Sequence, residues 1–118
     1  MNITWLGQAG FLFQTEGLNI IIDPYLSDSV VSIVPQNKRR MPVDEKFLNI
    51  KPDVIVLTHN HMDHTDLQTL KHYITEESGV LVLASQNSWQ SVRTIKGMHV
   101  FFLQPDRLHC LCQHFFFC

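Results

Sequence analysis

A chain of 118 residues with 45% hydrophobic and 17% charged side chains has the composition of one small globular domain, not of a disordered or bilayer-spanning segment. Nine basic against eleven acidic residues give a formal charge of −2, and Lys38-Arg39-Arg40, the one basic run, reads as a solvated loop with no stripe to continue it. No apolar run reaches the ~20 residues of a membrane span and no secretory signal opens the chain, so the expected compartment is the cytoplasm, with neither membrane nor nucleic acid as partner.

In chain order, Asn2–Leu6 predicts a first strand and Gly7-Gln8-Ala9-Gly10 a turn. Phe11–Thr15 and Asn19–Ile22, rich in aromatic and β-branched residues on either side of Glu16-Gly17, predict a hairpin. Its second strand ends at Asp23-Pro24, since proline stops a ladder. Residues 24–43, with three prolines and few periodic apolar positions, predict a long loop with room for one helical turn and no specific pocket signature.

Val43–Ile50 reads as a short helix with Asp44 near its start, stopped by Lys51-Pro52. Val54-Ile55-Val56-Leu57 is wholly apolar and predicts a strand buried on both faces. Leu67, Leu70 and Ile74 then recur at helical spacing, with Thr65 or Asp66 as N-cap, and leave His72 on the outer face. Val80–Leu83 predicts another buried strand, Ser88–Lys96 a helix capped by Asn87 or Ser88 and stopped by Gly97, and Met98–Leu103 a last strand holding His99 in a structural place.

Beyond Gln104 the character changes. Five of the eight phenylalanines lie in residues 101–118, and Cys110, Cys112 and Cys118 crowd into the last nine positions. An odd number of cysteines at one end is a poor disulfide framework, and Cys110-x-Cys112 is tighter than structural zinc spacing. The expected division is therefore 1–103 as the folded unit and 104–118 as an atypical tail, read as unrelated to the upstream design, in which His109 and His114 carry no assigned role.

The chemistry is concentrated in residues 58–66, Thr-His-Asn-His-Met-Asp-His-Thr-Asp, which hold three histidines and two carboxylates at the C-terminal end of a strand. Open α/β sheets bind ligands at that end. His59 and His61, two apart, project to one side of extended backbone. Asp63 and His64 follow where the chain bends toward the helix and can address a second ion. Imidazole and carboxylate suit zinc, manganese or iron. Two such ions about 3.5–4 Å apart generate a hydroxide nucleophile near neutral pH, with Asp63 as general base. The bland reading, histidines hydrogen-bonded in a polar loop, fits one histidine better than three within six residues.

His59-x-His61-x-Asp63-His64 after an apolar strand resembles the signature of metallo-β-lactamase-fold hydrolases. Ile3-Thr4-Trp5-Leu6-Gly7-Gln8-Ala9-Gly10-Phe11 and Ile22-Asp23-Pro24 are similar to the same superfamily, and most of all to its L-ascorbate-6-phosphate lactonase-like branch. The resemblance covers about residues 1–100. It implies an α/β (α+β) chain: the N-terminal half of an αββα sandwich, a mixed sheet with flanking helices. It also implies a dinuclear metal site and hydrolysis of a small-molecule substrate. Asp23 matches the family aspartate that braces the histidine loop; on its own it is equally a turn residue before proline.

Such sandwiches take a third histidine, a bridging aspartate and a final histidine from a second half, whereas catalytic zinc usually has three protein ligands plus water. An uncovered sheet face also favours homo-oligomers. Three functions follow as expectations. The first is a metal-dependent hydrolase, in particular a lactonase acting on a phosphorylated sugar acid. The second is a phosphodiesterase or nuclease of the same fold. The third is a truncated, non-catalytic remnant.

Overall fold

The computed structural model describes residues 1–97 and 99–102, the last four without their side chains; the expectations for Met98 and for 103–118, the cysteines and His109 and His114 among them, lie outside the described residues. One six-stranded mixed sheet runs in chain order, from β1 (Asn2–Gly7), β2 (Gly10–Thr15) and β3 (Leu18–Ile22) to β4 (Val54–Leu57), β5 (Leu81–Ala84) and β6 (His99–Phe102). The first three strands are antiparallel and β3 to β6 are parallel. Antiparallel neighbours need only short turns, here Gln8-Ala9 and Glu16-Gly17, whereas each parallel step needs a crossover. The helices α1 (Leu67–Tyr73) and α2 (Gln86–Val92) lie in two of these crossovers.

Register explains the core. Leu12, Ile21, Ile55 and Val82 stand side by side across β2 to β5, each at most 1% exposed. Leu70, Tyr73 and Ile74 from α1 and its C-cap, with Val92 from α2, join them in one buried cluster. Burying such side chains contributes about 1.5–3 kcal/mol each. Burial pushes the Tyr73 phenol well above its ordinary range, and its hydroxyl donates to Phe47 O at 2.7 Å.

Several predicted elements differ in detail, among them β5, which runs Leu81–Ala84 with Leu81 and Leu83 half-buried. Strand β4 is not buried on both faces: Ile55 and Leu57 are buried while Val54 and Val56 are half-exposed. Its apolar run marks a second apolar face rather than a second covered one. That face carries two registered rows, Ile3-Phe13-Ile20-Val54-Leu81 and Trp5-Phe11-Ile22-Val56-Leu83, with Ile3 and Trp5 more than half exposed. Residues Glu45–Asn49 form a 3-10 turn rather than an α-helix, with Asp44 as N-cap accepting from Lys46 N. The Lys46 ammonium beside it lowers the Asp44 carboxyl.

Helix α2 starts at Gln86, two residues before the expected Ser88, because Ser85 is the N-cap, accepting from Ser88 N. The cap of α1 is Asp66, whose side chain accepts from Gln68 N. Leu67, expected in the core, is exposed; Thr69 takes a buried place instead. His72 is exposed, as its helical position requires. Within 24–43 the chain makes two short 3-10 turns, Ser29–Ser32 and Pro35–Asn37. Among the described residues no helix is long and apolar enough to cross a membrane.

Candidate metal centre

Parallel pairing of β3 with β4 sets the site, because it brings the ends of both strands to one edge of the sheet. Asp23 follows β3, with its N–H donating to Val56 O at 2.9 Å, and Thr58 to His64 follow β4. Asp23 is 3% exposed and its backbone is left-handed, φ 42°. For a residue with a Cβ that conformation costs on the order of 1 kcal/mol. It turns a carboxylate back over the histidine loop. Asp23 Oδ1 accepts from Thr58 N at 2.8 Å, and Oδ2 accepts from Thr58 Oγ1 at 2.5 Å and meets His64 Nδ1 at 2.8 Å.

These contacts fix the imidazoles. Because the Thr58 hydroxyl proton goes to Asp23, its oxygen is left to accept from His59 Nδ1, 3.0 Å away. The proton of each ring is thereby assigned to Nδ1 in His59 and His64, and Nε2 of each keeps its lone pair. His59 Nε2 lies 3.1 Å from His61 Nδ1, with ring centroids 4.5 Å apart. The His59 and His64 centroids are 3.8 Å apart. Asp63 Oδ2 stands 4.0 Å from His64 Nε2, at a half-buried place on the rim.

The loop is held from outside as well. His64 N and Thr65 N both donate to His61 O, at 2.9 and 2.7 Å, closing a tight turn. Thr65 Oγ1 donates to His59 O at 2.8 Å, and Ser91 Oγ to Asn60 Oδ1 at 2.7 Å. Buried Asp66 accepts from Ser27 Oγ at 2.6 Å, Ser29 Oγ at 3.0 Å and Thr69 Oγ1 at 2.5 Å, tying the 24–43 loop to α1. Rings positioned in this way need little reordering to receive a ligand.

The site residues named from sequence thus fall as follows. His59, His61 and His64 are neighbours, Asp63 lies at their edge, and Asp23 lies beneath them. One donor atom each from Asp23, His59 and His64 comes within 4.8 Å of the others. The donor chemistry fits a divalent cation. Two nitrogens on one tetrahedral zinc are separated by roughly 3.3 Å, close to the His59–His61 spacing. Sequence reading missed Thr58, although a hydroxyl directly before the first histidine is a visible signal for a side-chain relay. It also missed Arg39, which is not part of a solvated run: its guanidinium donates to Leu6 O at 3.1 Å, to Met41 O at 3.2 Å and to Tyr25 O.

Residues 2–108 match the family described as the beta-lactamase superfamily domain. The chain is 30% identical over 102 residues to a UPF0173 metal-dependent hydrolase of Methanopyrus kandleri, covering 85% of this chain and 40% of that protein. It is 33% identical over 81 residues to the mitochondrial N-acyl-phosphatidylethanolamine-hydrolyzing phospholipase D of Saccharomyces cerevisiae, covering 68% of this chain and 17% of that protein. Among solved structures, an isothiocyanate hydrolase from Delia radicum gut bacteria shares the fold with a TM-score of 0.60 at 23% identity, over 88% of this chain and 42% of the other. The chain therefore spans less than half the length of each of these relatives, and by the family match over nearly all its residues it belongs to the beta-lactamase superfamily.

Proposed function

We propose that this chain is the metal-holding part of a metal-dependent hydrolase, with His59, His61, Asp63 and His64 as ligands and Asp23 as the group that orients them. The observation that supports it is the hydrogen-bond pattern: Asp23, directly and through Thr58, occupies Nδ1 of His64 and His59, which leaves the lone pair on Nε2 of each ring, that of His59 facing His61 Nδ1 at 3.1 Å. A ligating histidine characteristically gives its other ring N–H to a carboxylate in this way. Both oxygens of Asp23 are already engaged by Thr58 and His64, which favours positioning over ligation for this residue.

A bound divalent ion, zinc or manganese, and iron as a third choice, supplies Lewis acidity and lowers the pKa of water. The chain's own residues do the rest. Asp63, at the rim, receives the proton that the attacking water loses. His61, exposed, keeps the front of the site open to substrate. The buried Asp66 cluster keeps the 24–43 loop beside it. Two ions are expected, each with about two ligands from this loop.

The preferred substrate is the lactone of a phosphorylated sugar acid, hydrolysed in the cytoplasm. A phosphodiester is the second reading, favoured by the similarity to a relative named as a phospholipase D. Residues 1–103 form the working unit in either case, and the half-exposed sheet face favours self-association.

Wild-type chain passed through gel filtration should retain divalent metal by plasma emission analysis. The His59→Ala/His61→Ala double variant should lose most of it while its far-UV dichroism stays unchanged. Equal metal in both would end the proposal. Turnover of lactones or phosphodiesters with added zinc or manganese should vanish in Asp63→Asn; no turnover of either substrate by the metal-loaded wild type would favour the remnant reading.

A further inference from the structure

The loop that sequence reading left without a pocket signature forms one. An open cleft of about 270 Å³ lies between the β1–β2 turn and the 24–43 loop, and its lining includes Gln8, Gln36, Asn37, Lys38, Arg40 and Asp63. Asp63 thus borders both the histidine cluster and this cleft. The other polar walls are amides and two cations. Against that one carboxylate stand two cations, Lys38 and Arg40, so the lining carries a net positive formal charge.

The walls are held in place by the hydrogen bonds of one inward-turned residue. Arg39 turns inward, clamping Leu6 O at the end of β1 and Tyr25 O, while its N–H donates to Asp28 Oδ1 at 2.9 Å. Tyr25 is buried, and its hydroxyl accepts from Val30 N at 3.2 Å. Asp28 holds a left-handed φ of 109° to present its carboxylate to that N–H. Lys38, with extended backbone (φ −58°, ψ 141°), and Arg40 flank the inward Arg39 and are both exposed. On the facing wall, Gln8 sits at φ 51° in the β1–β2 turn, and its carbonyl accepts from Trp5 Nε1 at 2.9 Å. Gly7 beside it has φ 90°, a left-handed conformation that favours glycine, and a Cβ there would push the Arg39 guanidinium out of its place.

We propose that this cleft is an anion subsite that takes a phosphate group of the substrate, with Lys38 and Arg40 as the binding cations and Gln8 and Asn37 as amide donors. Guanidinium and ammonium groups are the side chains that grip phosphate. Their place beside Asp63 sets a phosphate next to the bond to be cut. The inference rests on the hydrolase reading and deepens it by assigning the substrate's phosphate to a cleft of this chain beside Asp63.

The test is equilibrium binding of inorganic phosphate to the metal-free chain, followed by calorimetry and by amide chemical shifts. Saturable binding is expected, with shifts at Gln8, Asn37, Lys38 and Arg40. It should weaken tenfold or more in Lys38→Ala/Arg40→Ala, and likewise in Lys38→Gln/Arg40→Gln, which keeps polar stems. Lys46→Ala, which removes an exposed cation bonded to Asp44, should leave it unchanged.

No saturable binding by the wild type, or undiminished binding in both double variants, overturns the proposal. Glycerol 3-phosphate and glycerophosphoethanolamine then distinguish a soluble monoester from a phospholipid-type diester. Tighter binding of either supports the subsite, and binding of neither overturns it. Metal uptake measured on the same samples separates the two readings: lost uptake with retained phosphate binding removes the hydrolase reading alone, and the reverse removes the anion subsite alone.

Discussion

Gly97→Ala is expected to destabilise the chain by about 2–5 kcal/mol, enough to unfold much of a small domain. Gly97 has φ 87°, a conformation that costs an L-residue about 1–2 kcal/mol. A Cβ built there would also overlap the Thr75 carbonyl and the Glu76 amide. Those are backbone atoms just past α1, so they cannot swing aside as a side chain would, and overpacking of this kind adds about 1–3 kcal/mol. Gly17→Ala is the control. Its φ of 78° imposes similar backbone strain, but no atom lies within 4 Å of the added methyl, and about 1–2 kcal/mol is expected. Urea titrations of the two variants decide the matter, and similar midpoints would refute the steric argument.

Asp23→Ala is expected to lower metal affinity 10–100-fold and to cost about 3 kcal/mol of stability. The affinity figure is typical for loss of a carboxylate behind a ligating histidine. The stability figure reflects a carboxylate that accepts from a backbone N–H, a hydroxyl and a ring N–H, each charge-assisted. Asp23→Asn separates the two effects. The amide keeps the shape and one acceptor oxygen but sets its NH2 against donors: Thr58 N–H if it takes the Oδ1 place, or both the Thr58 hydroxyl and His64 Nδ1–H if it takes the Oδ2 place. Metal affinity should fall nearly as far as in the alanine variant while the thermal midpoint falls less. Zinc titration against a chromophoric competitor measures the first and a melt the second. Wild-type affinity in Asp23→Asn would show that ring orientation is irrelevant.

Much of the sheet was legible because each signal is local. Aromatic and β-branched residues in β2 and β3, the Glu16-Gly17 turn and the run 54–57 specify strands through neighbouring residues alone. The histidine cluster was legible for the same reason, since its donors lie within six positions of one another. The relay through Asp23 and Thr58 spans 35 residues of sequence and depends on β3 lying parallel to β4, which no local pattern reports.

The same limit hid Arg39. Nothing in Lys38-Arg39-Arg40 says that the middle side chain turns inward to carbonyls 14 and 33 positions away. Lys38 and Arg40 become a paired wall only once Arg39 is pinned. The early start of α2 had another cause: Ser85 and Ser88 are both plausible caps by type, and packing of α2 on β5 selects the first.

The two registered apolar rows on the outer side of the sheet carry a calorimetric consequence. Heat capacity rises on unfolding in proportion to the nonpolar area newly hydrated, about 12–15 cal/mol/K per residue for ordinary domains. In an isolated chain Ile3, Trp5 and Phe11 are already wet, so the increment per residue should fall below that range. Once another surface dries those rows it should rise into the range, and a heat capacity that climbs with protein concentration would be the signature of copies sealing each other.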